Sequence, residues 1–187
     1  MSETKLFKFT KDNLEKANQH VSKYPKTRSK SAIKSSLDLA QRQNNGWITK
    51  EIMDYIASYL KIAPMRVYEV VTFYTMFNLE PVKKFVVNVC TTTPCMLRGS
   101  ADIFESCKAA LNEDSGADFF TVKEVECLGA CVNAPVVQIN DDYYEDLSVE
   151  KIVTVLDCLR KGKKINTGSQ IDRQCAAPVG FKSEKNK

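Results

Sequence analysis

The first 80 residues carry apolar side chains at every third or fourth position, a spacing that is typical of amphipathic helices. Thr10 and Thr49 are suited to cap the first and third predicted helices, and Pro64 suits the first turn of the fourth. The first helix closes at Tyr24-Pro25 and the second at Asn45-Gly46, where a helix does not continue. The pattern therefore predicts a small helical bundle whose apolar faces are formed by Leu14, Ala17, Val21, Ile33, Leu37, Ala40, Ile52, Ile56, Leu60, Val67, Val70, Val71 and Tyr74.

The pattern changes at Glu80-Pro81, after which short β-branched runs alternate with helical segments. The predicted order is β-α-β-β-β-α, which fits a compact α/β unit with a thioredoxin-like topology. The fold class is thus α+β, with a helical bundle at 1–80, an α/β domain at 81–162 and a polar, extended or frayed tail at 163–187. Within the α/β domain, strands are predicted at Lys84–Cys90, Phe119–Val125, Val136–Asn140 and Tyr143–Glu145, and helices at Gly99–Asn112 and through Val149, Ile152, Val153 and Leu156 to about Gly162.

The composition is ordinary for a globular protein with a real core, since 43% of the 187 residues are hydrophobic and 27% are charged. No apolar run approaches the roughly 18 residues of a membrane span, and the N-terminal stretch lacks the hydrophobic segment of a secretory signal. We therefore expect an intracellular, soluble chain without direct membrane insertion. Thiols stay reduced in that compartment, so the seven cysteines are expected to be ligands, nucleophiles or core residues.

Charge is distributed unevenly along the chain. Residues 1–83 carry fourteen Lys and Arg against eight Asp and Glu, residues 84–159 carry five against thirteen, and residues 160–187 carry eight against two. A nucleic-acid binder places positive charge where its chemistry lies, whereas here the cysteine-bearing middle is acidic, so no nucleic-acid partner is expected. The basic ends are either solvated surface or a surface that docks onto a partner protein.

Four cysteines form two close pairs. Cys90 and Cys95 lie in CTTTPC, with four residues between them, and Cys127 and Cys131 lie in CLGAC, with three. Each pair follows a predicted strand, so both pairs are expected to meet at one end of the sheet. Soft sulfur ligands that converge from two loops indicate zinc, copper(I) or an iron–sulfur cluster.

The spacing within the pairs favours a [2Fe–2S] cluster, because two irons are longer than one ion and a full α/β domain already supplies a core. Glycines at 99 and 129 would let backbone N–H groups turn toward sulfur. Zinc remains open, since its paired ligands are usually separated by two to four residues. A redox dithiol also remains open, although the chain lacks the CxxC spacing between these cysteines.

The other cysteines and the histidine are not assigned a role in this site. Cys107 and Cys158 lie on predicted helices, where free cysteine is commonly a small buried hydrophobe, and Cys175 lies in the tail. His20 is the only histidine and lies on the first predicted helix. The chain shows no Ser/His/Asp set, GxGxxG motif or P-loop, so no catalytic triad or nucleotide site of its own is expected.

Several long segments together resemble one protein family: YPKTRSKSAI, LDLAQRQNNGWIT, RVYEVVTFYTMF, CTTTPCMLRGS and ECLGACVNAPVVQINDDYYEDL. They are similar to the small flavoprotein-module subunit of respiratory NADH:quinone oxidoreductase, complex I. The resemblance covers about residues 10–162, with a weaker match at GSQIDR in the tail. It implies an N-terminal helical bundle joined to a thioredoxin-like [2Fe–2S] ferredoxin domain. It also implies that one [2Fe–2S] cluster is bound by Cys90, Cys95, Cys127 and Cys131.

The resemblance also implies partners and a location. NADH and FMN would bind to the larger NADH-binding flavoprotein subunit, which agrees with the missing nucleotide motif. The chain would belong to a proton-translocating oxidoreductase, beside other peripheral-arm subunits, without an NADH or quinone site of its own. It would lie on the cytoplasmic side of a bacterial inner membrane, or on the matrix side of the mitochondrial one. NAD-linked hydrogenases and formate dehydrogenases use the same module and remain alternatives, as does a zinc-stabilised interaction module.

A cluster held by four thiolates is already negative, and the acidic middle of the chain should lower its reduction potential further. All-cysteine plant-type ferredoxins lie at about −400 mV. The expected role is a one-electron store beside the flavin, which receives two electrons as hydride from NADH. The aromatic-rich face of the bundle is expected either to pack its own core or to dock the flavin-bearing subunit, and it comprises Tyr68, Phe73, Tyr74 and Phe77.

Overall fold

The computed structural model describes residues 7–111 and 116–173. The chain divides into two compact units, the helical unit Met1–Val82 and the sheet unit Lys83–Lys187. Each unit has a hydrophobic core of its own, and the architecture is α+β as predicted. Within the described ranges, no helix has the length and apolar character needed to cross a membrane.

The helical unit contains the four predicted helices. They are preceded or joined by short segments, one of which is a 3₁₀ helix at Lys26–Ala32 that the sequence pattern did not predict. The caps are those expected from the sequence: Thr10 Oγ1 accepts from the Asn13 N–H and Thr49 Oγ1 from the Ile52 N–H, each at 3.3 Å. The helices are α1 (Lys11–Ser22), α2 (Ile33–Gln43), α3 (Lys50–Leu60) and α4 (Pro64–Phe73).

The core of the helical unit departs from the prediction near the end of α4. Val67 and Val71 are buried as expected, but Tyr74 lies just beyond the helix with an extended backbone and is 40% exposed. The inward position predicted for Tyr74 is therefore wrong, because the helix ends one residue before it. Phe77 is only 5% exposed and belongs to this core rather than to a docking face.

The loop between α2 and α3 packs tightly against the end of the helical unit. Asn45 and Gly46 both have left-handed backbones, with φ of 54° and 88°. A Cβ atom on Gly46 would lie 2.8 Å from Val82 Cγ2, so a side chain has no room there. The amide of Asn78 donates to the Gly46 carbonyl at 2.7 Å, and the Ile48 N–H donates to the Asn78 carbonyl at 2.7 Å. Gly46 is thus required by both its conformation and the close approach.

The sheet unit is built around a mixed five-stranded sheet in the order β2-β1-β3-β4-β5. The pairs β1–β2 and β4–β5 are parallel, whereas β1–β3 and β3–β4 are antiparallel. The four predicted strands are confirmed to within one residue at either end. The strands are β1 (Phe85–Cys90), β2 (Phe120–Val125), β3 (Val137–Ile139), β4 (Asp142–Glu145) and β5 (Gly168–Ser169).

Helices α6 and α8 contribute to the core of the sheet unit. Ile152 on α8 is fully buried there, whereas Val149 and Val153 are 37% and 46% exposed, so the buried stripe of α8 does not include them. The last residue of α8, Arg160, donates to the Ala110 carbonyl at 3.2 Å and so ties α8 to the end of α6. The helices of this unit are α5 (Thr93–Leu97), α6 (Ser100–Ala109), α7 (Gly116–Phe119) and α8 (Val149–Arg160).

The predicted tail contributes to the sheet. Gly168 pairs with Tyr144 and Ser169 with Glu145, which makes β5 the outer neighbour of β4. The Gln170 N–H continues the ladder by donating to the Glu145 carbonyl at 2.9 Å. The interpretation of the tail as extended or frayed misses this strand, because two residues are too short to show a period. Cys175 and the rest of 174–187 lie outside the described residues.

Replacement of Gly46 tests the packing of the helical unit. We expect Gly46→Ala to lower the free energy of unfolding by about 2–4 kcal/mol, because the methyl adds a clash to the cost of a left-handed backbone. In a Val82→Ala background the clash partner is removed, so the same change should cost only about 1–2 kcal/mol. Urea unfolding followed by fluorescence of Trp47, the only tryptophan, reports on this unit. Equal losses in both backgrounds would contradict the close approach to Val82.

Candidate metal centre

Parallel pairing of β1 and β2 brings the two cysteine loops to one edge of the sheet. Cys90 is the last residue of β1 and is paired with Val125, the last residue of β2. Cys127 follows two residues later, and the Thr91 N–H donates to the Val125 carbonyl at 3.3 Å. The two loops that carry the cysteine pairs therefore start at the same end of the sheet, as predicted.

The first pair is buried. Cys90 ends β1 and Cys95 lies on α5, and both residues are only 1% exposed. Helix α5 was not predicted, although Pro94 in its first turn is an available signal. The Thr92 hydroxyl lies 3.3 Å from Cys90 Sγ, so a polar group accompanies this thiol inside a small apolar cluster.

The second pair is exposed and lies on the loop after β2. Cys127 Sγ and Cys131 Sγ are 3.2 Å apart. The Gly129 N–H donates to Cys127 Sγ at 3.4 Å, which its left-handed backbone, with φ of 81°, makes possible. The hydroxyl of Tyr143 on β4 donates to the Leu128 carbonyl at 2.8 Å and fixes the middle of the loop. Sequence patterns give no sign of this contact, because it joins residues on separate elements.

Hydrogen bonds within the second pair separate the acidities of its two thiols. The pKa of Cys127 is lowered, first by the hydrogen bond from the Cys131 thiol and then by the Gly129 N–H. The pKa of Cys131 is raised, because its thiol donates that hydrogen bond to Cys127. Cys127 is therefore the thiol of this pair that is more readily converted to the thiolate, which is the form that binds metals.

The buried pair shows the same kind of asymmetry. Burial acts to raise the pKa of Cys90, but hydrogen bonds from Thr92 and the Leu128 N–H outweigh it, and the net pKa is lowered. Burial and the neighbouring Cys90 raise the pKa of Cys95 to about 12. The two pairs lie on neighbouring loops, because the strands that precede them end side by side at Cys90 and Val125.

The donor set suits an iron–sulfur cluster. Four thiols are available in two neighbouring pairs, and the Gly129 N–H donates to one of the sulfurs, Cys127 Sγ, at 3.4 Å. Such N–H groups stabilise negative charge on cluster sulfurs and tune the potential. In the part of the chain that the structure describes, no three His, Cys, Asp or Glu side chains are close enough together to hold a single metal ion.

The remaining candidates lie elsewhere. Cys107 on α6 is buried in the core of the sheet unit, and burial raises its pKa to about 12. Cys158 is half-buried near the end of α8. His20 lies on α1 in the helical unit. None of these three residues lies on the two cysteine-bearing loops, and their exclusion from the ligand set stays a prediction.

A cavity of about 310 Å³ opens beside Cys131, and sequence reasoning did not anticipate it. Leu97 and Val132 on its wall are 75% and 80% exposed, so exposed apolar surface lies beside Cys131. Two arginines from distant parts of the sequence also reach the wall. Its lining comprises Pro94, Leu97, Arg98, Cys131, Val132, Ala134 and Arg173.

Comparison with known proteins identifies the family. The sequence profile of the thioredoxin-like [2Fe-2S] ferredoxin family matches residues 17–160. A relative from Rickettsia bellii (strain RML369-C), named as a subunit of NADH-quinone oxidoreductase, is 55% identical over 158 residues, which are 82% of this chain and 95% of the relative. The mitochondrial NADH dehydrogenase [ubiquinone] flavoprotein 2 of Dictyostelium discoideum is 49% identical over 174 residues, 91% of this chain and 70% of the relative. A solved NAD+-reducing [NiFe]-hydrogenase, at 16% identity, shares the fold with a TM-score of 0.55 over 67% of this chain and 22% of that chain. With two cysteine-bearing loops at one sheet edge and a profile match over most of its length, the chain belongs to the thioredoxin-like [2Fe-2S] ferredoxin family.

Proposed function

We propose that this chain is the iron–sulfur electron-transfer subunit of an NADH:quinone oxidoreductase. It exchanges single electrons with the FMN of the NADH-binding partner subunit through one [2Fe–2S] cluster bound by Cys90, Cys95, Cys127 and Cys131. The observation that carries the proposal is that β1 and β2 end side by side, so that both cysteine-bearing loops leave one sheet edge, with Cys127 Sγ and Cys131 Sγ 3.2 Å apart. The names of the relatives, at 55% and 49% identity, favour this enzyme over a hydrogenase or formate dehydrogenase.

The cluster, when bound, supplies one-electron chemistry that needs no proton and breaks no bond in the chain. The four thiolates would hold it, and the Gly129 N–H on Cys127 Sγ would favour an added electron. The surrounding acidic segment, residues 84–159 with five basic and thirteen acidic residues, opposes that electron. A low potential follows from this excess of negative charge, which suits exchange with a reduced flavin.

Electrons enter on the exposed side of the site. Cys127 and Cys131 face solvent, whereas Cys90 and Cys95 are buried. The exposed apolar side chains of Met96, Leu97 and Val132 lie on the two cysteine-bearing loops and give a partner surface to bury. Contact at this surface would bring a partner's flavin close to the cluster.

The helical unit supplies a second surface for the same assembly. Phe73 is 76% exposed, and apolar side chains that follow the end of α4 are exposed with it: Tyr74, Met76 and Leu79. We call these four residues the α4 surface. It replaces the predicted docking face in part, since Phe77 is buried and the Tyr68 hydroxyl donates to Asp54 Oδ1 at 2.7 Å. We propose that the α4 surface binds the flavoprotein subunit, and that such contacts are what hold the chain at the membrane.

The cofactor is tested first by the composition of the purified full chain. When it is prepared anaerobically, the protein should contain about two irons and two sulfides per chain, which is the stoichiometry of one [2Fe–2S] cluster. It should also be red-brown and give an EPR signal only after reduction. Counts of iron, sulfide and zinc on the same sample provide the measurement. Zinc without sulfide would mean that the four cysteines form a structural zinc site, and it would overturn the proposed electron transfer.

The ligands are tested by serine substitution. Cys127→Ser should lose most of the bound iron, or change the visible and EPR spectra, because a hydroxyl replaces one of four thiolates. Cys95→Ser should behave in the same way. Cys158→Ser is the matched control and should keep full iron content and an unchanged spectrum, since Cys158 lies on α8 rather than on either of the two cysteine-bearing loops. A Cys127→Ser protein with the parent iron content and spectrum would remove Cys127 from the ligand set.

The α4 surface is tested by binding. We expect Phe73→Ser to weaken the affinity for the isolated NADH-binding subunit about tenfold or more, as loss of a buried aromatic anchor does. Tyr24→Ser is the control, because Tyr24 is an exposed aromatic residue outside the α4 surface, and it should leave the affinity unchanged. Isothermal titration calorimetry measures both. Equal affinities for the two variants would place the interface elsewhere.

A further inference from the structure

The segment between β4 and α8 contains a buried carboxylate. The Asp146 side chain is only 1% exposed, and its Oδ1 lies 2.8 Å from Nη2 of Arg173 in an ion pair. The Ser169 hydroxyl donates to the other oxygen, Oδ2, at 2.7 Å. A buried charge destabilises a protein unless it is paired and hydrogen-bonded, so Arg173 and Ser169 compensate Asp146. We call these three residues the C-terminal clasp.

The clasp is organised by the residues that follow β5. Ser169 Oγ accepts from the N–H groups of Ile171 and Arg173, at 3.3 and 3.2 Å. These bonds turn the chain after Ser169 so that Arg173 returns to Asp146. The position of the guanidinium therefore depends on a hydrogen-bonded turn as well as on its own flexible side chain.

The backbone of Asp146 contacts the turn that carries Cys131. The Asp146 N–H donates to the Asn133 carbonyl at 2.7 Å, and the next N–H, of Leu147, donates to the Pro135 carbonyl at 3.3 Å. Asn133 is the last residue of the 3₁₀ turn Cys131–Asn133. A displacement of Asp146 would therefore be transmitted to Cys131 through one hydrogen bond and one short turn.

The positive member of the clasp also lies beside the thiols. Arg173 and Cys131 line the same cavity, in a unit whose residues 84–159 are strongly acidic. Charge close to a cluster changes its potential, because reduction adds a negative charge. Neutralising either Asp146 or Arg173 changes the net charge beside Cys131 by one unit, so it should shift the reduction potential of a bound cluster.

We propose that Asp146 and Arg173 are positioning residues for the proposed cluster. Together they hold the Cys131 turn in place, and the balance of their charges sets the reduction potential at this side of the site. The inference rests on the proposed function, since it concerns the cluster that the four cysteines would bind. It gives residues 169–173 a role at the redox site, although they lie more than thirty positions from Cys131 in the sequence.

The test uses single and double variants of the full chain. Arg173→Gln removes the positive charge that faces a buried carboxylate, so the equilibrium constant for one-electron reduction should fall at least about threefold. Asp146→Asn removes the negative charge and should raise that constant by a similar factor. The double variant restores the charge balance and should return toward the parent value. Arg173→Lys keeps the charge and should stay closer to the parent than Arg173→Gln.

Three readouts separate positioning from general stability. Redox titration followed by EPR gives the midpoint potential and the g values, and hydrogen exchange gives the protection of residues 128–134. Arg173→Gln should change all three. Lys161→Gln is the matched control, since it removes the same charge from an exposed ion pair. The side chains of Lys161 and its partner Asp157 are 56% and 45% exposed. Lys161→Gln should leave potential, g values and exchange at the parent values.

The outcomes distinguish the two proposals. A parent protein without iron and sulfide refutes the proposed function itself. If the parent holds its cluster, and Arg173→Gln matches Lys161→Gln in potential, g values and exchange, the positioning role is wrong. Should Arg173→Gln fail to retain the cluster, retention in the double variant or in Arg173→Lys supports the role, and loss in both refutes the charge balance.

Discussion

The parallel pairing of β1 and β2 is the constraint on which the site depends. In an antiparallel pair the two strand ends would lie at opposite edges, and the cysteine loops that follow them would be separated by the length of the sheet. Here Cys90 and Val125 are paired, so both loops leave the same edge. Helix α6 makes this possible, because a parallel connection must cross over the sheet, and α6 covers one face on the way.

The parts of the fold that could be predicted are those with repeated local patterns. Each helix of the bundle shows several turns of apolar spacing, and three of the four have a hydroxyl or proline signal at their start. The prediction for Tyr74 fails because the helical pattern continues in the sequence after the helix has ended. Strand β5 and helix α5 are too short to show a period, so only their tertiary partners define them.

The candidate site was predictable to a similar extent. The close spacing of Cys127 and Cys131 identifies a pair, since residues four positions apart lie near each other in a turn as well as in a helix. The burial difference between the two pairs, and the contacts from Tyr143 and Arg173, join elements that are far apart in the sequence. Such contacts depend on the final packing of the sheet, and no local pattern encodes them. The resemblance to a known family supplied the cluster type, which spacing alone left open between iron–sulfur and zinc.

Strand β5 has a consequence for how the protein meets other chains. It occupies the outer side of β4, whose backbone groups would otherwise be open to strand addition by a neighbouring molecule. With only two residues, β5 offers little backbone of its own as a template, and β2 at the opposite margin carries Lys123 and Glu124. Both margins therefore oppose β-augmentation and polymerisation through the sheet. Recognition of this unit is left to side chains on its loops and helices, which allows a partner to be selected by shape and charge.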